Sequence, residues 1–200
     1  MGELLKIIMK QIYFATSSPE KVRSLREAFR RNGVVNIEII HSPLELLEPR
    51  SASVLEIAKK KLSLAYGEIQ KPCVVQDSGF FIDSLNGFPR AYVNFALETI
   101  GVDGILRLVE GRDRSCRFEH CLAYYDGVSD PKFFSSISQG TLADKKLGNP
   151  TKYDLHQIFI PFGESRTLAE MSEQERDIWR QTKRDHYTND FARWARDNLS

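Results

Sequence analysis

The stretch 72-PCVVQDSGFFIDSLNGFPRAY-92 places a charged residue inside an otherwise apolar segment. Two valines predict a short buried strand over residues 73–76, which runs into Asp77. Ser78 and Gly79 then predict a turn before a second apolar run. Ligand-binding crevices form at strand ends in α/β sheets, and a carboxylate there can bind a divalent metal ion or orient a water molecule. The stretch therefore predicts a functional carboxylate at the mouth of a buried strand.

The segments before this stretch predict a strand, a helix and a second strand. Residues 12–16 are β-branched and aromatic, residues 19–31 carry apolar side chains at helical spacing, and residues 35–40 are again strand-like. Between the first two elements, 16-TSSPEK-21 supplies hydroxyls and free N–H groups at a helix start, with Lys21 one turn in. This pattern suits a bound phosphate, and an ordinary helix cap with a surface lysine is the alternative. It is not a P-loop, because GxxxxGK[ST] is absent.

The rest of the chain mixes helical and strand-like patterns. Residues 54–67 have a helical period, residues 116–125 and 132–138 predict a hairpin, and Ser172 starts a helix that precedes a C-terminal helix. The order predicts an α/β fold with a mixed central sheet flanked by helices. We expect a single domain over residues 1–200 with two lobes, the second spanning roughly residues 80–140.

The composition excludes several classes of protein. Hydrophobic residues make up 42% and charged residues 28% of the 200 residues, and the net charge is +1. That balance argues against a nucleic-acid partner or a polybasic membrane anchor. No apolar run approaches the about 18–20 residues that span a bilayer, and no signal peptide is predicted. Three cysteines without a CxxC pair predict reduced thiols in a cytoplasmic protein.

Other polar residues are weaker candidates on local sequence alone. In the run from Lys59 to Lys61, successive helical side chains point about 100° apart, so at most two face any cleft, and a solvated face is the alternative. Glu48 lies between two prolines, where an acid is usually solvated. Tyr153 and Asp154 lie in a loop, as ligand contacts or as turn residues.

Four segments, in order along nearly the whole chain, resemble the motifs of the Ham1-like inosine triphosphate pyrophosphatase family. The segment 12-IYFATSSPEK-21 is similar to the family's opening strand and (T/S)xNxxK loop, and 56-EIAKKK-61 to its ENAxxK helix. The segment 76-QDSGFFIDSLNGFPRAY-92 resembles the (D/E)D(S/T)GLxVDALxGxPGxY block and is the most specific match. The segment 152-KYDLHQIFIPFGESRTLAEMSEQER-176 resembles the block that ends in AEMxxxEK.

The resemblance implies a deep cleft between two lobes, a homodimer, and a cofactor, Mg²⁺ or alternatively Mn²⁺. The implied reaction is hydrolysis of a nucleoside triphosphate to the monophosphate and pyrophosphate, usually on inosine or xanthosine nucleotides. It assigns catalysis to Asp77, Glu48 and Lys21, and metal binding to Glu48, Asp77 and Gln76. The implied substrate-binding residues are Thr16, Ser17, Ser18, Lys21, Lys61 (or Lys60 if the register slips by one), Ser78, Gly79, Tyr153, Asp154 and Arg176.

The departures from the family pattern fall mainly at the base-reading end. Gln76 replaces the first member of an acidic pair, and Arg90 replaces a glycine. Thr151 and Lys152 replace a Phe-Gly pair, so the aromatic residue that stacks on the base is missing. The Ser-His-Arg motif that reads the purine is also absent, and 178-IWRQTKR-184 stands in its place.

Three functions remain open on the sequence. The first is a pyrophosphohydrolase for a noncanonical or modified nucleotide, with a base preference different from inosine and xanthosine. The second is a catalytically impaired relative that binds nucleotides, for which Gln76 is the main argument. The third is a hydrolase of another nucleotide in a specialised modified-nucleotide pathway.

Overall fold

A seven-stranded mixed sheet organises the residues that this computed structural model describes, which are 9–46, 51, 53–184 and 186–199. The strand order is β2-β1-β3-β5-β6-β7, with β4 paired to β3. β1 is parallel to β2 and β3, and the other pairs are antiparallel. The strands are β1 Lys10–Ala15, β2 Ile37–Ser42, β3 Cys73–Ile82, β4 Pro89–Arg90, β5 Ser115–Tyr125, β6 Lys132–Leu142 and β7 Phe159–Pro161. The predicted mixed α/β sheet is confirmed.

Helices cover both faces of the sheet. They are α1 Pro19–Arg31, α2 Val54–Ile69, α3 Val93–Thr99, α4 Gly101–Leu108, α5 Glu173–Trp179 and α6 His186–Leu199. Two short 3₁₀ helices cover Asp83–Leu85 and Asp154–Gln157, and a π-helical turn, Arg180–Arg184, joins α5 to α6. The predicted helices are confirmed, including the capping box at Ser172 and Glu175. The π-helical turn is not visible in the sequence pattern.

The core follows the two-residue alternation of the strands. On one face of the sheet, α1 and α6 bury Leu25 and Phe191 against Phe14 and Val74. On the other face, apolar side chains of α2 pack against Val75, which follows Val74 in β3. Successive side chains of a strand point to opposite faces, so one apolar strand serves two cores. The same alternation decides where the polar residues of β3 point.

The predicted end of β3 and the predicted start of β2 are wrong. β3 does not end near Gln76 but continues through Ile82, because all ten of its residues pair with β5. Asp77 therefore lies in the middle of a strand, and no turn follows it. The second strand begins at Ile37 and not at Val35. Val35 is 81% exposed and is not part of the core.

The hairpin strands β5 and β6 continue the same sheet, and the division into two lobes remains a prediction. The three cysteines are buried free thiols, and burial raises the pKa of Cys73 to about 11. Within the described ranges, no helix combines the length and the apolar character needed to cross a bilayer.

Candidate functional site

A cleft opens where β3 runs past the end of β1. β5 pairs with the whole length of one edge of β3. On the other edge β1 pairs only as far as Val74, opposite Phe14, and β4 pairs from Phe80 onwards. Between these two pairings, in the part of the chain that the structure describes, that edge of β3 has no neighbouring strand. The change of strand direction makes this gap a switch point of the kind that holds ligands in α/β sheets.

The cleft has a volume of about 1230 Å³. Small-molecule sites are usually about 300–1,000 Å³, so the cleft has room for a ligand with a base, a sugar and a polyphosphate chain. Most of the predicted site residues line it: Thr16, Ser17, Ser18, Lys21, Lys61, Gln76, Asp77, Ser78, Gly79, Tyr153 and Arg176. Folding therefore brings together residues that are up to 160 positions apart in the sequence.

Two predicted residues, Lys60 and Asp154, do not line the cleft. Lys60 is exposed on the surface of α2 and does not line the cleft, because Lys61 is the residue of that helix that faces β3. Asp154 is exposed at the start of a 3₁₀ helix, whereas its neighbour Tyr153 faces the cleft. The cleft lining therefore favours Lys61 over its alternative Lys60, and the role of Asp154 in substrate binding stays a prediction. Glu48 falls outside the described residues.

The loop after β1 is held by its own hydroxyl groups. Ser18 is the N-cap of α1, and its Oγ accepts a hydrogen bond from the backbone N–H of Lys21 at 3.4 Å. The Thr16 hydroxyl accepts one from the backbone N–H of Ser18 at 3.1 Å. The Lys21 ammonium donates a hydrogen bond to the carbonyl oxygen of Gln76 in β3, at 3.5 Å. The loop thus presents hydroxyls, a helix N-terminus and a cation to the open edge of β3.

Asp77 and Lys61 form a buried ion pair at the floor of the cleft. The Nζ atom of Lys61 lies 2.7 Å from Oδ1 of Asp77, and the two side chains are only 12% and 8% exposed. Asp77 points to the α2 face because it continues the alternation of Cys73 and Val75. A carboxylate and an ammonium ion that line a cleft are suited to proton transfer and to binding of an anion.

Gln76 points to the opposite face of the sheet from Asp77. Its Nε2 atom donates to the hydroxyl oxygen of Tyr187 in α6 at 2.9 Å. The Tyr187 side chain is 2% exposed, so α6 fixes the position of the amide. Gln76 and Asp77, which occupy the acidic-pair position, therefore point to opposite faces of β3, and only Asp77 carries a charge.

His120 in β5 is a buried polar residue of the cleft that the sequence analysis did not select. Its Nδ1 atom lies 2.8 Å from the Ser78 hydroxyl oxygen, and its ring stacks on Tyr187 with centroids 5.2 Å apart. The ring of Phe118 lies nearly parallel to that of His120, with centroids 6.1 Å apart. His120 stands opposite Ser78 because the two strands are antiparallel in that register. No local motif marks the residue, since the register depends on the long-range pairing.

The far end of the cleft is built by the segment before β7. The ring of Tyr153 is half exposed and lies over His156, with centroids 5.1 Å apart. His156 is buried, and its Nδ1 atom lies 2.9 Å from the Thr151 hydroxyl. Trp179, the aromatic residue of the segment 178-IWRQTKR-184, is 7% exposed and packs on Phe159. Among the aromatic side chains named here, Tyr153 is the one with an accessible ring.

Two arginines donate hydrogen bonds to main-chain carbonyl oxygens. The guanidinium of Arg176 lines the cleft, but it also donates to the carbonyl oxygens of Leu168 and Met171, which tie it to the start of α5. Arg90 keeps the left-handed backbone of a glycine, with φ of 60°. Its guanidinium turns back to the Asn86 carbonyl at 2.9 Å and does not enter the cleft.

The cleft offers oxygen ligands, which Mg²⁺ prefers. No group of three or more His, Cys, Asp or Glu side chains that could hold a metal ion occurs within the described ranges. Mg²⁺ commonly binds through one or two carboxylates together with the phosphates of a substrate. Asp77 fits that mode and does not fit a cage made of protein ligands alone, because the Gln76 amide is held by Tyr187 on the opposite face of β3.

The chain was compared with known proteins. A sequence model described as "Ham1 family" matches residues 12–184. A protein named dITP/XTP pyrophosphatase from Saccharolobus solfataricus is 37% identical over 90% of this chain and 89% of its own length. One of the same name from Pyrococcus horikoshii is 33% identical over 94% of this chain and 98% of its own.

Solved structures show the same fold. The Staphylococcus aureus Ham1 protein has a TM-score of 0.78 at 20% identity, covering 96% of this chain and 100% of its own. A nucleoside-triphosphatase / dITP/XTP pyrophosphatase from Mycobacterium abscessus has a TM-score of 0.73 at 24% identity, covering 88% and 95%. The sequence model covers most of the chain, and the curated relatives match nearly all of it. The chain therefore belongs to the Ham1 family.

Proposed function

We propose that this protein is a nucleoside triphosphate pyrophosphohydrolase, which converts a (d)NTP and water to a (d)NMP and pyrophosphate. The observation that carries the proposal is the buried pair of Asp77 and Lys61 on the cleft floor, opposite the hydroxyl loop and Lys21. The names of the curated relatives support the same reaction.

The residues of the cleft divide the work by charge. Lys21 and Lys61 neutralise the phosphates, and the hydroxyls of Thr16 and Ser18 orient them. Asp77 accepts the proton of a water molecule that attacks phosphorus in line, as the bond to the departing pyrophosphate breaks. Mg²⁺, when bound with the substrate, withdraws charge from the phosphates. When the substrate binds, the ammonium of Lys61 pairs with the polyphosphate. The carboxylate of Asp77 is then available to accept a hydrogen bond from the attacking water.

The base end of the cleft supports a changed base preference. Tyr153 supplies the stacking ring in place of the missing phenylalanine, and Arg180 with Gln181 offers polar groups in place of the missing Ser-His-Arg motif. Both arginine and glutamine can donate to a keto oxygen, and glutamine can also accept from an amino group. We propose that the substrate is a noncanonical or modified nucleotide other than the inosine and xanthosine forms.

A substrate panel tests the reaction and the base preference together. Natural and modified (d)NTPs are incubated with Mg²⁺ or Mn²⁺, and pyrophosphate release is measured, with Asp77→Asn as the inactive control. We expect turnover of at least one member, highest for a base other than hypoxanthine or xanthine. Inosine or xanthosine triphosphate as the best substrate would contradict the base preference, and no turnover by folded protein would contradict the reaction.

Gln76 replaces the first member of the acidic pair with a neutral amide that is held by Tyr187. This favours a second candidate, a nucleotide-binding protein without turnover. In that case nucleotides raise the melting temperature, because any ligand of the native state does so, while no product forms. Gln76→Glu separates the candidates, since the Tyr187 hydroxyl can donate to a carboxylate and the contact survives. If the protein is an active enzyme, we expect Gln76→Glu to reach half-maximal activity at a Mg²⁺ concentration about tenfold lower than the unmodified protein. Hydrolysis of nucleoside diphosphates, tested beside the triphosphate panel, would favour the third candidate, a hydrolase of another nucleotide.

The homodimer, the dependence on Mg²⁺ or Mn²⁺ and the cytoplasmic location are proposals that rest on the family resemblance. Size-exclusion chromatography with light scattering tests the first. Activity after removal of metal with a chelator, followed by addition of each cation, tests the second.

A further inference from the structure

Lys152 occupies the base-side wall of the cleft at a position where the family pattern has glycine. We infer that Lys152 is a further phosphate-binding residue of this protein, which Glu20 holds in place until substrate arrives. The inference rests on the proposed function and adds a cation to it.

The contacts of Lys152 place it beside the hydroxyl loop. Its ammonium pairs with Oε1 of Glu20, in the first turn of α1. The other oxygen of Glu20 accepts a hydrogen bond from the Ser18 hydroxyl at 3.1 Å. Ser18 in turn caps the backbone N–H of Lys21. The ammonium is therefore linked through one carboxylate to the loop proposed to bind phosphate, although Lys152 lies 131 positions after Lys21 in the chain.

The ion pair spans the mouth of the cleft. Glu20 belongs to the wall made by α1, and Lys152 belongs to the segment that also carries Tyr153, on the opposite wall. The side chains are 61% exposed for Lys152 and 34% exposed for Glu20. An ion pair this open to water contributes little to stability, and its partners exchange easily.

A triphosphate competes effectively for this lysine. It carries about four negative charges and many acceptor oxygens, and charge-assisted hydrogen bonds to phosphate are stronger than neutral ones. The flexible four-carbon stem of lysine lets the ammonium turn without movement of the backbone. The hydrogen bond from Lys152 holds the pKa of Glu20 at about 2, so the carboxylate stays charged near neutral pH and competes with the phosphates.

A purely structural tie predicts a different pattern of effects. If the pair served only to hold the wall segment against α1, loss of either partner would weaken binding alike. If Lys152 binds phosphate and Glu20 competes for it, the two losses have opposite signs. Glu20→Gln preserves the acceptor for the Ser18 hydroxyl and removes only the charge, so it isolates the competition.

The test is the binding of inorganic triphosphate and of a nucleoside monophosphate, measured by calorimetry at fixed ionic strength. Lys152→Ala and Glu20→Gln are compared with Lys146→Ala, which removes a lysine from an exposed pair with Asp103, 2.9 Å apart, away from the cleft lining. We expect Lys152→Ala to weaken triphosphate binding about tenfold, Glu20→Gln to tighten it about threefold, and Lys146→Ala to change it less than twofold. Monophosphate binding should change less than triphosphate binding in Lys152→Ala.

Two outcomes overturn the inference. One is equal binding by Lys152→Ala and Lys146→Ala, and the other is equal weakening by Lys152→Ala and Glu20→Gln. Failure of the proposed function is distinguishable, because it shows as absent pyrophosphate release by the unmodified protein. Triphosphate binding with the expected order of variants would then still support the role of Lys152.

Discussion

At the scale of single residues, Asp77 and Lys61 depend on each other. Both side chains are nearly excluded from water, so removal of one takes a close opposite charge away from a largely buried ion. We expect Lys61→Met, which keeps the apolar stem, to lower the free energy of unfolding by about 3 kcal/mol or more in urea titrations. The matched control is Lys59→Met on the same helix, which breaks an exposed pair with Glu56 and should cost less than about 0.5 kcal/mol.

The double variant Lys61→Met, Asp77→Asn should recover part of that loss, because no buried charge remains. If Lys61→Met and Lys59→Met were equally stable, the ion pair would not be buried in solution and the site would need a different description.

Gly79 lets the turn at β4 approach β3. A Cβ atom there would lie 2.8 Å from the ring of Phe81 and 3.0 Å from the carbonyl oxygen of Arg90. We expect Gly79→Ala to lower the free energy of unfolding by about 1–3 kcal/mol, since the backbone contact cannot move aside cheaply. Gly67→Ala on α2, where an added Cβ meets nothing within 4 Å, should instead stabilise the protein by about 0.5–1 kcal/mol. Equal effects in thermal unfolding would contradict the close approach.

At the scale of elements, the start of α5 is a pH-sensitive feature. A hydrogen bond from Arg166, aided by the N-cap backbone of Ser172, holds the pKa of Glu175 at about 2, below its ordinary value of 4.5. A lowered pKa stabilises the folded state above pH 4.5, and the contribution is lost as the pH falls through the folded value. We expect the melting temperature of Glu175→Gln to lie below that of the unmodified protein above pH 5 and to match it near pH 2. A constant difference over that range would contradict the assignment.

Local pattern predicts the elements of this fold better than their pairing. The apolar spacing of α1 and α2 and the capping box of α5 are visible in a few residues, and all three helices form as expected. β3 was predicted too short, because Asp77 and Gly79 are unfavourable in a strand by local propensity. They are retained in β3 because its pairing with β5 satisfies the backbone along the whole strand.

At the scale of the whole molecule, the same distinction applies to the site. The hydroxyl loop and Asp77 could be predicted, because each belongs to a local motif. His120, Tyr187 and Lys152 could not, since each reaches the cleft through a contact between distant segments. The choice of Lys61 over Lys60 needed the rotation of α2 about its axis, which sequence spacing alone leaves open.

We propose that the cleft positions a water molecule to release pyrophosphate in one step. Phosphorus-31 NMR of the reaction with the best nucleotide of the panel tests this directly. We predict pyrophosphate and monophosphate in equal amounts, with no diphosphate intermediate, and formation about a hundredfold slower in Asp77→Asn. Orthophosphate with a nucleoside diphosphate, or full activity of Asp77→Asn, would contradict it.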